Sequence, residues 1–417
     1  MPHTNTAKDA AVRVEKALTS WTGDLDRKDL PLFRDFVKAI LERTRGPFLA
    51  IHSAADTLSR LERAFQVVQQ REAEQVNVCI LQRGKRGAIA IANLPDQPFI
   101  VDTMRLFLNR HAAEYSSGFN VVFGAVRDDS GQLTAVGPDG ASESIVLMDA
   151  DAPGLIADMQ GSESDLRSSL ELARVVVRDF RVMTRIVERW VEKLENLGDH
   201  QPETRDAANE TAAFLNWLAQ ENFVFMGMEA SNRDPAGIQT LPGTHSGSPD
   251  GDWPDPHAPG TVRVRKSPVE SRVHRAGRID EILVHLPGDD ETTLFIRGMF
   301  TYRAITQACR RIPILRGVLG TILENQNADP GSFRYKGISN VFDSLPAEFL
   351  FTVSQDDIAG TVDLVFESEQ RQEVGVSFLM TGPYSAFCLV AMPKGSYSEE
   401  LRSDLEEHII TKLGATY

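Results

Sequence analysis

The residues of this chain best suited to hold a charged ligand lie in one short basic stretch. Between Arg263 and Arg278 the sequence sets Arg263, Arg265, Lys266, Arg272, His274, Arg275 and Arg278 against one carboxylate, Glu270. Such a group could bind a carboxylate or phosphate through charge-assisted hydrogen bonds, with Arg272, His274 and Arg275 as the candidate anion-binding residues. An exposed hairpin or an interdomain salt-bridge surface would use the same residues. A second basic feature is a stripe, Arg174, Arg178, Arg181, Arg185 and Arg189, whose spacing of three and four aligns them on one helix face. That face is either solvated or docked onto an acidic neighbour.

Other chemistry is thinly represented. The chain contains neither a G-x-x-x-x-G-K-[ST] loop nor a G-x-G-x-x-G turn between strand and helix. Gly243-Thr244-His245-Ser246-Gly247 superficially resembles a nucleophile elbow, but it lacks the strand–turn–helix context. His245, Asp250, Asp252, Asp255 and His257 could gather around a metal, though in a loop that does not pre-organise them, and solvated loop polarity is the plainer reading. Cys79 and Cys388 fall within strand patterns as small hydrophobes. Cys309 borders a helix start without an activating partner. No catalytic residue, metal ligand or cofactor loop is assigned.

The elements that must position these residues follow from periodicity. Leu32, Phe33, Phe36, Val37, Ile40 and Leu41 form one helical face, and Leu58, Leu61, Phe65 and Val68 another, giving a helical arm over residues 1–73 that packs against later domains. Strands are expected at Val76–Leu81 and Ala88–Ala92, then a helix with Asp96 as N-cap and Pro98 in its first turn. Two more strands, Phe119–Val126 and Ser144–Met148, and a long helix near Ser164–Leu197 complete a unit over 75–200. The order implies antiparallel sheets with helices on one face, an α+β fold. A second unit over 203–328 is interrupted at 232–260 by an insertion holding six prolines and five glycines, a mobile excursion by composition. A third segment, 330–417, is read as a helix, strands at Glu348–Val353, Val362–Phe366, Glu373–Leu379 and Ser385–Ala391, and a last helix burying Leu401, Leu405, Ile409 and Leu413. Its start is assigned to the capping box Ser396-x-x-Glu399.

Composition bounds the function class. With 417 residues, 44 Lys+Arg against 59 Asp+Glu and a net charge of −15, the chain is long enough for two to four domains and too acidic for a dedicated nucleic-acid or anionic-membrane binder. Three separated cysteines and no signal-like terminus point to the cytoplasm.

The stretch from Ala88 to His111 resembles the opening of an ACT-type amino-acid-binding module, whose Asp-x-Pro turn is here Asp96-Gln97-Pro98-Phe99. The chain further resembles the N-terminal regulatory region of the large bacterial NAD-specific glutamate dehydrogenases. The likeness is carried by Asp96–Asp102 with Asn109-Arg110-His111, and by Ala213–Leu218 with Phe223–Gly227. It continues through Val273-His274-Arg275, Ile312–Arg316 with Asp329–Ser332, and Leu345–Phe351. The resemblance implies tandem ACT-like, ferredoxin-like domains ahead of a catalytic part that this chain is expected to lack, so NAD would belong to that missing part. It also implies self-association and an amino-acid effector held at Asn93, Leu94, Asp96, Gln97 and Phe99. ACT modules usually carry Gly where Phe99 stands, which favours the alternative of a protein-interaction scaffold without a small-molecule ligand. Turnover by the chain itself is a third, less favoured reading.

Overall fold

A computed structural model describes residues 3–44, 48–231, 252–255, 257–382 and 385–414. The excursion residues His245 and Asp250 and the Gly243–Gly247 stretch lie outside them. The chain divides into two units. One comprises Met1–Arg178 with Ser271–Gly277, the other Asp179–Glu270 with Arg278–Tyr417.

The first unit opens with helices α1 (His3–Leu18), α2 (Leu30–Arg43), α3 (Phe48–Ile51) and α4 (Ala54–Val68). There follow β1 (Asn77–Arg83), β2 (Gly87–Pro95), α5 (Ile100–Arg110), β3 (Glu114–Arg127), β4 (Leu133–Val136) and β5 (Ala141–Asp151). The short α6 (Pro153–Ala157) leads into α7 (Met159–His200), within which the boundary between units falls. The sheet order is β1-β2-β5-β3-β4 with every pair antiparallel. Strands β2 and β3, joined through α5, therefore run parallel with β5 between them, a split β-α-β arrangement.

Strand β2 is buried along Gly87–Leu94, and its alternate residues enter different cores. Ile89 and Ile91 meet Phe33, Phe36, Leu61 and Phe65 of the N-terminal helices together with Phe123 and Leu147. Ala88, Ala90, Ala92 and Leu94 meet Met104 and Phe107 of α5, Leu155 of α6, and Leu166 and Leu170 of α7. The sheet is thus covered on both faces. This corrects the expectation of helices on one face. The physical reason is already in Ala88-Ile89-Ala90-Ile91-Ala92, whose unbroken apolar run needs two apolar neighbours rather than one.

The second unit contains α8 (Arg205–Trp217), β6 (Phe223–Ala230), β7 (Val262–Glu270), β8 (Arg278–Leu286) and β9 (Asp289–Phe300). These strands form an antiparallel sheet in the order β6-β9-β8-β7. After α9 (Tyr302–Thr306) comes α10 (Leu315–Asn325). The Glu210 carboxylate of α8 accepts from the Ile314 N–H at 2.7 Å and from the Arg316 guanidinium, fixing the entry to α10. Helices α11 (Phe333–Ser344), α12 (Ala347–Thr352) and α13 (Gln355–Arg371) precede the hairpin β10 (Gly375–Gly382) and β11 (Ser385–Ala391) and the last helix, α14 (Glu399–Leu413).

Four expectations fail in this C-terminal segment. Glu348–Val353 and Val362–Phe366, read as strands, lie largely in α12 and within α13. Ser354 caps α13 by accepting from the Asp357 N–H at 3.1 Å, and Ile358 and Val362 then share one buried face. That capped 3.6-residue pattern overrides the β preference of the local residues. Helix α14 starts from Ser398, whose hydroxyl accepts from the Leu401 N–H, rather than from Ser396. Its apolar positions are not buried: Leu401 is 36% exposed and Leu413 57%. No described helix is long and apolar enough to cross a membrane.

Candidate functional site

The turn from β2 into α5 places the candidate effector residues in two environments. Asn93 and Leu94 still belong to β2, opposite Ile145 and Ser144 of β5, and both are fully buried. The Asn93 amide donates to Glu143 Oε2 at 3.0 Å and to the Ser144 carbonyl at 3.1 Å. Glu143 also receives Arg71 at 2.6 Å and Arg127 at 2.7 Å. Asn93 is thus a strut of a buried ionic network, and Leu94 is a core residue.

Asp96, Gln97 and Phe99 lie beyond the strand. The Asp96 N–H donates to the Ser142 carbonyl at 3.0 Å, and its carboxylate accepts from the Ser144 hydroxyl at 2.7 Å. Asp96 therefore holds the turn to β5 and does not cap the helix, which begins only after Phe99. Phe99 has φ 71, a left-handed backbone that a side chain with a Cβ adopts at a cost.

The Phe99 ring meets His274 edge-on, with centroids 5.3 Å apart. His274 lies in Ser271–Gly277, the segment that groups with the first unit, and its own φ is 72. One residue from each candidate set, 175 positions apart in sequence, thus meets the other. Burial pushes the His274 imidazole below its ordinary value, opposed by Asp102 and reinforced by Arg275. Among the described residues, neither His274 Nδ1 nor the buried Gln97 Nε2 has a hydrogen-bond partner. Arg272 donates to the carboxylate and the carbonyl of Asp165, the latter at 2.9 Å, and to the Ser169 hydroxyl at 3.1 Å. Arg110 and His111 converge on the same Asp165 carboxylate at 2.7 and 3.1 Å. Burial raises that carboxyl, but these donors outweigh it and hold the group below its usual value. Arg275 donates to the Ala276 carbonyl.

Two further members of the basic stretch, Arg265 and Lys266, are met by carboxylates of the second unit. Arg265 lies 2.8 Å from Glu281 and stacks over Trp253, while Lys266 sits 2.6 Å from Asp280 and 2.9 Å from Glu348. Burial drives the Asp280 carboxyl up to about 6, against the opposing pull of Lys266. His257, one of the loop residues weighed above around a metal and read instead as solvated loop polarity, is buried and hydrogen-bonds the Leu350 carbonyl at 2.7 Å.

Sequence reasoning missed one cluster altogether. Asp149 of β5 is buried among Arg60 at 2.9 Å, Arg83 at 3.2 Å, His52 at 3.5 Å and the Ser117 hydroxyl at 3.1 Å. Ser117 also lies 3.1 Å from His52 Nε2. A serine, a histidine and an aspartate in contact invite a nucleophilic reading. Here, though, Asp149 takes the serine proton itself and faces the same imidazole nitrogen, whereas an activated serine needs its carboxylate on the far nitrogen. The cluster anchors α4 and the β3 bulge at Tyr115–Ser117 to β5. No spacing signal could have found it, because its members come from four elements.

Burial, with Glu163 adding to it, pushes the Cys79 thiol up to about 11, and burial pushes Cys309 up to about 12, so neither is a thiolate near neutrality. An open depression of about 460 Å³ beside β3, lined by Arg43, Asn120, Val122, Gly124 and Ser142, holds one charged side chain. That side chain, Arg43, already donates to the Val122 carbonyl.

Comparison with known proteins agrees with these elements. The glutamate dehydrogenase ACT1 domain matches residues 36–165, from α2 through the five-stranded sheet to the start of α7. The glutamate dehydrogenase helical motif 1 matches residues 312–371, the run α10–α13. NAD-specific glutamate dehydrogenase of Halomonas elongata is 27% identical over 355 residues, covering 77% of this chain and 22% of that protein. The Pseudomonas aeruginosa NAD-specific glutamate dehydrogenase is 25% identical over the same length and shares. The chain is therefore similar to the N-terminal region of these proteins and spans about a fifth of their length.

Proposed function

We propose, from its likeness to the N-terminal region of bacterial NAD-specific glutamate dehydrogenases, that this chain is a non-catalytic regulatory region that self-associates and senses an amino acid at the β2–α5 turn. On this reading its units are tandem ACT-like modules, and NAD and the oxidation of glutamate belong to a catalytic part outside these residues. The reading of β1–β5 as ferredoxin-like is supported by the split β-α-β of β2, α5 and β3, with β1 standing at the sheet edge beside β2.

The observation that carries the sensing site is the meeting of Phe99 with His274, with the Gln97 amide nitrogen and the His274 imidazole nitrogen each buried without a partner among the described residues. Unmet polar groups of this kind are costly unless a ligand or water completes them. An α-amino acid offers a carboxylate to Gln97 and His274 and an ammonium to Asp102. Calorimetry of the purified chain with glutamate, aspartate, arginine and 2-oxoglutarate tests this. Heat from at least one ligand, abolished by Gln97→Ala and His274→Ala, is the expected result. Silence from all four at millimolar concentration overturns sensing and leaves the structural role.

The scaffold alternative is favoured by the Phe99 ring itself, which fills the turn where a ligand would approach. It expects no heat from the native chain and a newly gained ligand in Phe99→Gly. Turnover of glutamate with NAD by the purified chain would overturn both readings.

A further inference from the structure

The arginine stripe of α7 is only partly used by the fold. Arg174 is taken by Glu74. Farther along, the Arg185 and Arg189 Nε groups bond only the helix carbonyls of Arg181 and Arg185, at 3.3 and 3.4 Å. Among the described residues, Arg181, Arg185 and Arg189 have no carboxylate within ion-pair reach, and all three are exposed. Val182, 39% exposed, borders the same strip, which Glu188 also shares.

Helix α14 presents the complementary pattern. It makes no substantial contact with another described element, and its apolar positions stay open to solvent. Its Arg402 is committed to Glu399 and Glu406, each at 2.7 Å. Glu400, Asp404 and Glu407 remain, exposed and without a cationic partner among the described residues. Their spacing of four and three puts them on one strip about 10 Å long, bordered by Leu401 and Leu405. Arg181 to Arg189 span about 12 Å along α7, so the two strips match in length as well as in sign.

We propose that the Arg181, Arg185 and Arg189 face of α7 docks onto the Glu400, Asp404 and Glu407 edge of α14 in a second copy of this chain. A two-fold pair makes the contact twice, α7 of each copy against α14 of the other, with Val182 set against Leu401 and Leu405. This gives a surface to the self-association proposed above and rests on that reading.

The test measures the mass of the full chain by sedimentation across a concentration range. The native chain is expected to form a dimer that weakens with added salt. Reversing one strip, R181E/R185E/R189E or E400K/D404K/E407K, should raise its dissociation constant about tenfold or more. Mixing the two reversed chains should restore a mixed dimer, since each α7 then faces an α14 of opposite sign. A misfolded variant could not complement in this way, so restoration establishes the surface, and failure of two reversed chains that each keep the native circular dichroism and melting transition overturns the proposal. A native dimer indifferent to both reversals overturns this surface and leaves self-association standing. A native chain that stays monomeric overturns both, and a reversal-sensitive complex with only some other acidic protein assigns the stripe to that partner instead.

Discussion

Burial pushes the Glu143 carboxyl up, but the hydrogen bonds of Arg127, Arg71 and Asn93 outweigh it and bring it down to about 2 from an ordinary 4.5. A depressed folded value means that the ionised form stabilises the protein. This stabilisation is complete above about 4.5 and is lost as the pH falls toward 2. Glu143→Gln leaves two buried guanidinium groups uncompensated and should cost about 3 kcal/mol, a fall in Tm of about 6–12 °C at neutral pH. The variant should also lose part of the wild-type loss of stability between pH 4.5 and 2; an unchanged acid limb in thermal melts would contradict the assignment. The residue scale is also where the sequence was least informative. Asp96 had the type and place of an N-cap but bonds Ser144 instead, because α5 starts four residues beyond Asp96 and β5 supplies a nearer donor. Nothing in spacing could bring Phe99 to His274 or Ser117 to His52.

Among the elements, the outcome depended on whether local preference and periodicity agreed. The strands β1, β2, β6, β8 and β9, and the helices α2, α4, α5 and α10, carry both signals, and both are met. In α13 they conflict: Val362, Leu364, Val365 and Phe366 favour a strand locally, while Ser354, Ile358 and Val362 mark a capped helix. The cap is therefore a place to test. Ser354→Ala should cost about 1 kcal/mol and lower Tm by about 2–4 °C, and Ser354→Asp, which keeps an acceptor for the Asp357 N–H, should hold it near the wild-type value. Equal losses in the two variants would show that the cap hydrogen bond is not what matters there.

For the whole molecule, burial is distributed unequally. Strand β2 is enclosed on both faces, whereas α14 has no buried residue and β10 leaves Val376, Phe378 and Met380 61%, 49% and 62% exposed. Local opening follows that distribution. In native-state hydrogen exchange, the amides of Ile89 and Ile91 should be among the slowest and those of α14 among the fastest. Equal protection in dilute solution would show that α14 is covered, and slowing of α14 with concentration would fit the docking proposed above.

By itself the sequence determined an acidic α+β chain of antiparallel strands and amphipathic helices, and its short motifs carried the likeness to glutamate dehydrogenases. Those properties are written in composition and in periods of 2 and 3.6 residues, which neighbours along the chain express together. Tertiary structure alone decided that the N-terminal helices close the second face of the first sheet and that Ser271–Gly277 meets the β2–α5 turn. It alone decided, too, which arginines find carboxylates. These are choices among partners up to 175 residues apart, and only the folded chain's competition for buried surface and for opposite charge makes them.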